Sequence, residues 1–130
     1  MKYLFFFLTI LLACQSKSNV TPVVFFDGKW IEITNKTDTI TFDQTLDSNG
    51  KRYFILSRAK ETRNGFLLPK IGAGIYEYHV NGEKISLYNL ISSCYCFKDY
   101  HLTLSVDKML IGNFYDPNSN GVQETFEKIK

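Results

Sequence analysis

The chain has 130 residues, 45% of them hydrophobic and 15% aromatic, with 15 Lys and Arg against 13 Asp and Glu for a net charge of +2. That length allows one domain. The two charge signs are interspersed with no basic stripe, which excludes the electrostatic footprint of a nucleic-acid binder. No internal repeat or low-complexity stretch is present.

The chain opens with Lys2 and an apolar run over residues 3–12. A run of about ten residues is half of the roughly 20 that a membrane-crossing helix needs. A charged start, a short apolar middle and a small-residue end make the pattern of a cleaved secretory signal. The end itself, Leu11-Leu12-Ala13-Cys14, resembles the lipobox of bacterial lipoproteins. That resemblance implies cleavage before Cys14, a diacylglycerol on its thiol and fatty acylation, palmitate for instance, of its amine. Two or more acyl chains suffice for stable anchoring. The alternative is an ordinary secretory signal followed by an incidental Cys. Gln15 in place of Asp implies, by analogy with enteric bacteria, an outer-membrane anchor. Residues 15–19 carry no acidic cluster of the kind that marks surface export, so the periplasmic face is expected. Residues 14–22 then form the lipidated Cys and a polar tether, and 23–130 the folded domain.

Period-two alternation dominates that domain and predicts strands. Trp30-Ile31-Glu32-Ile33 sets Ile31 and Ile33 on one face, and Ile40 and Phe42 share another. Tyr53 to Leu56 is continuously apolar, as for a strand buried on both sides. Tyr76, Tyr78 and Val80 face away from Glu77 and His79, and Ile85 and Leu87 repeat the arrangement. His101 to Val106 alternates throughout, with Leu102, Leu104 and Val106 on one face. Residues 108–115 and 122–129 complete the set. Asp47-Ser48-Asn49-Gly50, Asn81-Gly82 and 116–121 carry turn residues, and Asp107-Lys108 is a weaker turn. Asn81-Gly82 between two alternating runs is a strong hairpin signal. The expected fold is all-β: an antiparallel up-and-down meander of about eight strands closing into a barrel, with a sandwich as the alternative.

Gly28-Lys29-Trp30 opens the first strong strand. A Gly-x-Trp there resembles the signature of lipocalins, and Asp27 to Ile33 followed by a meander looks like the lipocalin-like domains of Bacteroidetes-type lipoproteins. The resemblance covers 23–130 and implies an eight-stranded barrel whose Trp30 packs against one end. Lipocalins place an Arg over that Trp; here the last strand offers Lys128 and Lys130. No Thr-Asp-x-Tyr segment occurs in mid-chain.

The connection 59–74 is long for a hairpin, and long loops are often lids or binding loops. Phe66, Leu67 and Leu68 are therefore candidates for an apolar lid over the barrel mouth, the alternative being a further short strand or packing on the outer wall. Three readings of Cys94-Tyr95-Cys96 stand open. The two can be buried thiols on one face, a local disulfide, or part of a metal or redox site that two sulfurs alone do not complete. In a regular strand the two Cα atoms would lie about 6.6 Å apart, near the upper limit for a bridge, so a disulfide requires a turn at Tyr95.

Residues 116–127 fit the pattern of a calcium loop, with Asp116, Asn118, Asn120 and Glu127 at ligand positions. Flanking strands, and Gln123 where an apolar residue is usual, favour an ordinary turn. His79 and His101 fall on polar faces. No nucleophile elbow, His-Glu-x-x-His or phosphate-binding glycine loop occurs, so no catalytic residue and no cofactor is expected. The expectation is a non-catalytic binding module, tied to the membrane by lipid and holding a small apolar or amphipathic molecule. Phe42, Phe54, Tyr76, Tyr78 and Phe114 are candidate lining residues, or else plain core. The alternative is a protein-interaction or inhibitor module with a filled interior and an unknown protein partner.

Overall fold

The computed structural model describes residues 26–43, 45, 47–112, 114 and 123–130. These form ten strands and no helix: β1 (Lys29–Glu32), β2 (Thr39–Phe42), β3 (Tyr53–Ser57), β4 (Lys60–Arg63), β5 (Phe66–Pro69), β6 (Gly74–Asn81), β7 (Lys84–Asn89), β8 (Lys98–Leu104), β9 (Lys108–Gly112) and β10 (Gln123–Lys128). Eight of them close into an antiparallel barrel in sequence order, β10 returning to pair with β1. The expected up-and-down barrel is present and the sandwich is not. The one departure from the meander is β4–β5, a separate two-stranded sheet inserted between β3 and β6.

Alternation fixes which side chains point inward. Ile40 and Phe42, Phe54 and Leu56, Tyr76 and Tyr78, Ile85 and Leu87, Met109 and Ile111 are all buried. Aromatic rings fill the space between them. Phe54 stacks on Tyr76 at 5.1 Å, Phe42 lies 5.5 Å from Phe54, and Phe114 meets Tyr76 at 6.2 Å and Phe126 at 6.5 Å. Each such pair contributes about 0.5–1.5 kcal/mol beyond the area it buries.

Three sequence expectations change. In β1 it is Trp30 and Glu32 that point inward, while Ile33 is exposed. The indole needs the interior more than an isoleucine does, and the strand stops at Glu32, whose carboxylate accepts the backbone N–H groups of Thr34 and Asn35. In β3 Ile55 is half exposed, because this barrel has one dry face and Ile55 is on the other. In β8 the strand ends at Leu104 and Ser105 N–H bonds the Lys108 carbonyl at 2.8 Å, so the chain turns over 105–107. Val106 sits on that turn, 96% exposed.

The two ends of the barrel differ. At the closed end, β6–β7 and β8–β9 are joined by the short turns 82–83 and 105–107. Gly82 has a φ of 59° at the first loop position, as a II′ hairpin requires. Phe26 stacks on Phe42 at 4.8 Å and meets Tyr78 edge-on at 5.9 Å. Trp30 Nε1–H donates to the Asp27 carbonyl at 3.0 Å, and Lys128 Nζ sits 5.8 Å from the Trp30 ring centroid while pairing with Asp27. A cation thus does lie over this tryptophan, supplied by Lys128. Gly28, at φ 75°, makes the entry: its carbonyl accepts Phe42 N–H at 3.0 Å, and a Cβ there would stand 3.4 Å from Lys128 Cε.

Candidate functional site

The open end carries the connections 33–38, 58–73 and 90–97. Between the last two lies a cleft of about 620 Å³. Its floor is Tyr76, with Leu87 and Tyr100 on the inner wall and Ile71, Ser92 and Cys96 toward the rim. The Tyr76 hydroxyl donates to the Gly72 carbonyl at 2.7 Å and accepts from Asn89 Nδ2 at 2.9 Å. Asn89 Oδ1 in turn accepts Ile91 N–H at 3.0 Å. One amide therefore fixes the floor and the start of the 90–97 loop together.

Lys98 stands at the rim. Register pairs it with Leu87, and its parity with Tyr100 and Leu102 puts it on the inner face. It has no ion pair among the described residues. Its neighbour Asp99 bonds Ser86 Oγ at 2.6 Å and Lys84 Nζ at 2.9 Å. Those bonds, from Ser86 and then Lys84, hold the Asp99 carboxyl below the usual carboxylate range.

Cys94 and Cys96 form a disulfide, with Cα atoms 5.3 Å apart. The loop provides the turn at Tyr95 that a strand would have denied, and Ser92 Oγ accepts Cys94 N–H at 3.3 Å. Both residues are exposed, so the expectation of buried thiols does not hold. The same loop folds over the outer wall: Tyr95 packs on Tyr88 at 4.6 Å and Phe97 on His79 at 5.0 Å. Beneath them the buried Glu77 accepts Lys51 Nζ at 2.9 Å and contacts His79 Nε2 at 3.2 Å. The Glu77 and Tyr95 oxygens raise the Lys51 amine above its ordinary value. His79 and His101 are exposed, as their positions on polar faces led one to expect.

A smaller polar pocket of about 170 Å³ opens beside the 33–38 loop. Arg58 Nε pairs with Asp38 at 2.7 Å, and a second guanidinium N–H donates to the Ile71 carbonyl at 2.6 Å. Glu32 and Glu124 line the same pocket. Burial pushes the Glu124 carboxyl up, and nearby Arg58 offsets only part of that.

Of the five residues read as ligand lining, only Tyr76 reaches the cleft. Phe42, Phe54, Tyr78 and Phe114 are packed core. Phe66, Leu67 and Leu68 do not line it either; they form β5, and the stretch behind the hairpin, Ile71-Gly72, borders the cleft instead. Sequence reasoning missed Asn89, Lys98 and Tyr100, although Lys98 and Tyr100 extend the inward parity of Leu102. Asp116, Asn118 and Asn120 lie outside the described residues. Glu127 is in β10, exposed, opposite Ile31 and Lys108. Among the described residues no group of three or more His, Cys, Asp or Glu is placed to hold a metal.

The fold and the cleft define an eight-stranded up-and-down barrel, plugged at one end and, among the described residues, open to a cleft at the other. No family model, no curated protein and no solved structure matches the chain.

Proposed function

We propose that this protein is a binding module without catalysis, anchored through Cys14 lipid on the periplasmic face of an outer membrane, that holds a small amphipathic molecule in the mouth of the barrel. The observation that carries the ligand reading is the cleft over Tyr76 with Lys98, which has no ion pair among the described residues, at its rim. Concave, mainly apolar sites with a few placed polar groups are the usual form of small-molecule pockets. Two tyrosines and a leucine favour a flat apolar body, and the ammonium favours an anionic head. Because the interior below Tyr76 is filled by Phe54 and Phe114, the ligand is ring-sized or short-chained and does not thread the barrel. The Leu-Leu-Ala-Cys sequence supports the anchor.

Native mass spectrometry of the protein extracted from its own membrane tests both halves. The expected spectrum shows an acyl-modified Cys14 and a co-purifying small anion. An unmodified Cys14 overturns the anchor, and repeated absence of any bound molecule after gentle extraction overturns the ligand.

The filled interior also supports a second reading, a protein-interaction or inhibitor module working through the open-end loops. A stoichiometric protein in the same spectrum, with no small molecule, would select it.

A further inference from the structure

The β4–β5 hairpin is built unlike the rest of the molecule. Asn64 at φ 52° and Gly65 at φ 83° give the two positive angles of an I′ turn, and the strands pair Arg63 with Phe66 and Lys60 with Pro69. The result is a finger on the open end, about 13 Å long at a strand's rise. Its base is tied by Lys70 N–H to the Ala59 carbonyl at 2.9 Å. Phe66 is 70% exposed and Leu67 64%, with Leu68 and Ile71 also exposed. A lone two-stranded hairpin is marginally stable in water without something to cover it.

We propose that this finger docks the open end of the barrel onto an anionic lipid surface. Successive side chains of a strand leave by opposite faces, so Phe66 and Leu68 point one way and Leu67 the other. A protein surface laid against the finger covers one of those faces. An apolar phase that surrounds the finger covers both. Charge points to the same occupant: Lys60 and Lys70 flank the apolar residues, while the acid Glu61 is taken by Arg63 at 3.1 Å and Arg58 is held by Asp38. Lys60 and Lys70 have no ion pair among the described residues. Each basic residue near an anionic leaflet adds to the attraction, and the contribution falls with salt. The backbone edge of β5, unpaired among the described residues, keeps the finger at headgroup depth, where water and lipid oxygens satisfy polar groups.

Docking in this way brings the mouth against the bilayer, and a tether reaching the same leaflet permits it. Residues 14–25, if fully extended, span about 40 Å. That exceeds the roughly 27 Å of the eight-residue β6. The inference stands apart from the ligand reading, since it concerns the finger and not the cleft.

Vesicle flotation tests it, using the unacylated chain from Gln15 onward; every barrel strand lies within Lys29–Lys128, so the fold stays complete. The expected result is binding to vesicles of phosphatidylcholine with phosphatidylglycerol at low salt, and much less to phosphatidylcholine alone. The double variant Phe66→Ser with Leu67→Ser should lose at least about tenfold in partitioning, since both side chains forfeit their transfer out of water. Lys60→Gln with Lys70→Gln should remove most of the phosphatidylglycerol dependence. Both variants should keep the parent melting temperature, because the replaced side chains are exposed. No vesicle binding, or binding that neither variant weakens, overturns the proposal. So does a finger-dependent dimer in sedimentation that leaves vesicles untouched.

Discussion

The closed and open ends of this barrel are made by the same eight strands, yet the chain spends its residues on them differently. At the closed end short turns draw the strands together while Phe26, Trp30 and Lys128 stop the bottom. Even the longer 43–52 connection is pinned there, by an Asp47 carboxylate that takes N–H bonds from Asn49 and Lys51 at 2.8 Å and the Tyr53 hydroxyl at 2.9 Å. At the open end the connections are long, and one carries an exposed hairpin, another a disulfide. Buried aromatic packing is concentrated in the stack and the plug, whereas the rim carries exposed apolar residues and the cleft. Functional loops are commonly drawn from the less stable parts of a fold.

The largest test of that contrast compares two phenylalanines. Phe54→Ala, deep in the stack, should cost about 3–5 kcal/mol in urea unfolding, whereas Phe66→Ala on the finger should stay within about 0.5 kcal/mol. Equal costs would break the distinction. Next is the disulfide: Cys94→Ser with Cys96→Ser removes a loop of only three residues, which chain entropy values at about 1–2 kcal/mol. Small-molecule affinity should fall by a larger factor than this stability loss alone explains, because Cys96 borders the cleft. Gly28→Ala at the entry to the plug should cost about 1–2 kcal/mol, the penalty for a Cβ in the left-handed region.

The smallest effect is one of pH. Burial raises the Glu124 carboxyl in the folded protein above its ordinary 4.5. The folded state therefore holds a proton that the unfolded chain releases, and that contribution, full below about 4.5, is lost as pH rises through the folded value. Glu124→Gln should melt higher than the parent near neutrality, with the gap closing as the solution is acidified toward pH 4. A gap that is constant with pH would show that Glu124 ionises normally.

The architecture was legible because one period rules it. A barrel with a single dry face demands alternation in every strand, and Ile40, Phe42, Tyr76, Tyr78, Ile85 and Leu87 supply it. Errors arose where another demand overrode that period. Trp30 needed burial more than Ile31 or Ile33, and Val106 was taken by a turn. The finger is legible in principle: Arg63-Asn64-Gly65-Phe66 holds the same Asn-Gly signal as residues 81–82, but the apolar run after it has no alternation to mark a strand. The cleft was much less legible. Tyr76 and Tyr78 look alike in sequence, and only the closed barrel sets Tyr76 toward the cleft and Tyr78 against Phe26 and Phe42 of the plug. The disulfide needed the turn at Tyr95, which no periodicity announces.

A direct measurement of the central claim, a solid barrel with one anionic-ligand site at its mouth, is a fluorescence titration with 1-anilinonaphthalene-8-sulfonate, a ring-sized amphipathic anion. The account predicts one saturable site per folded chain, weakened about tenfold by Lys98→Gln through loss of a charge-assisted contact, at an unchanged melting temperature. No saturable binding, or binding that Lys98→Gln leaves intact, would contradict it.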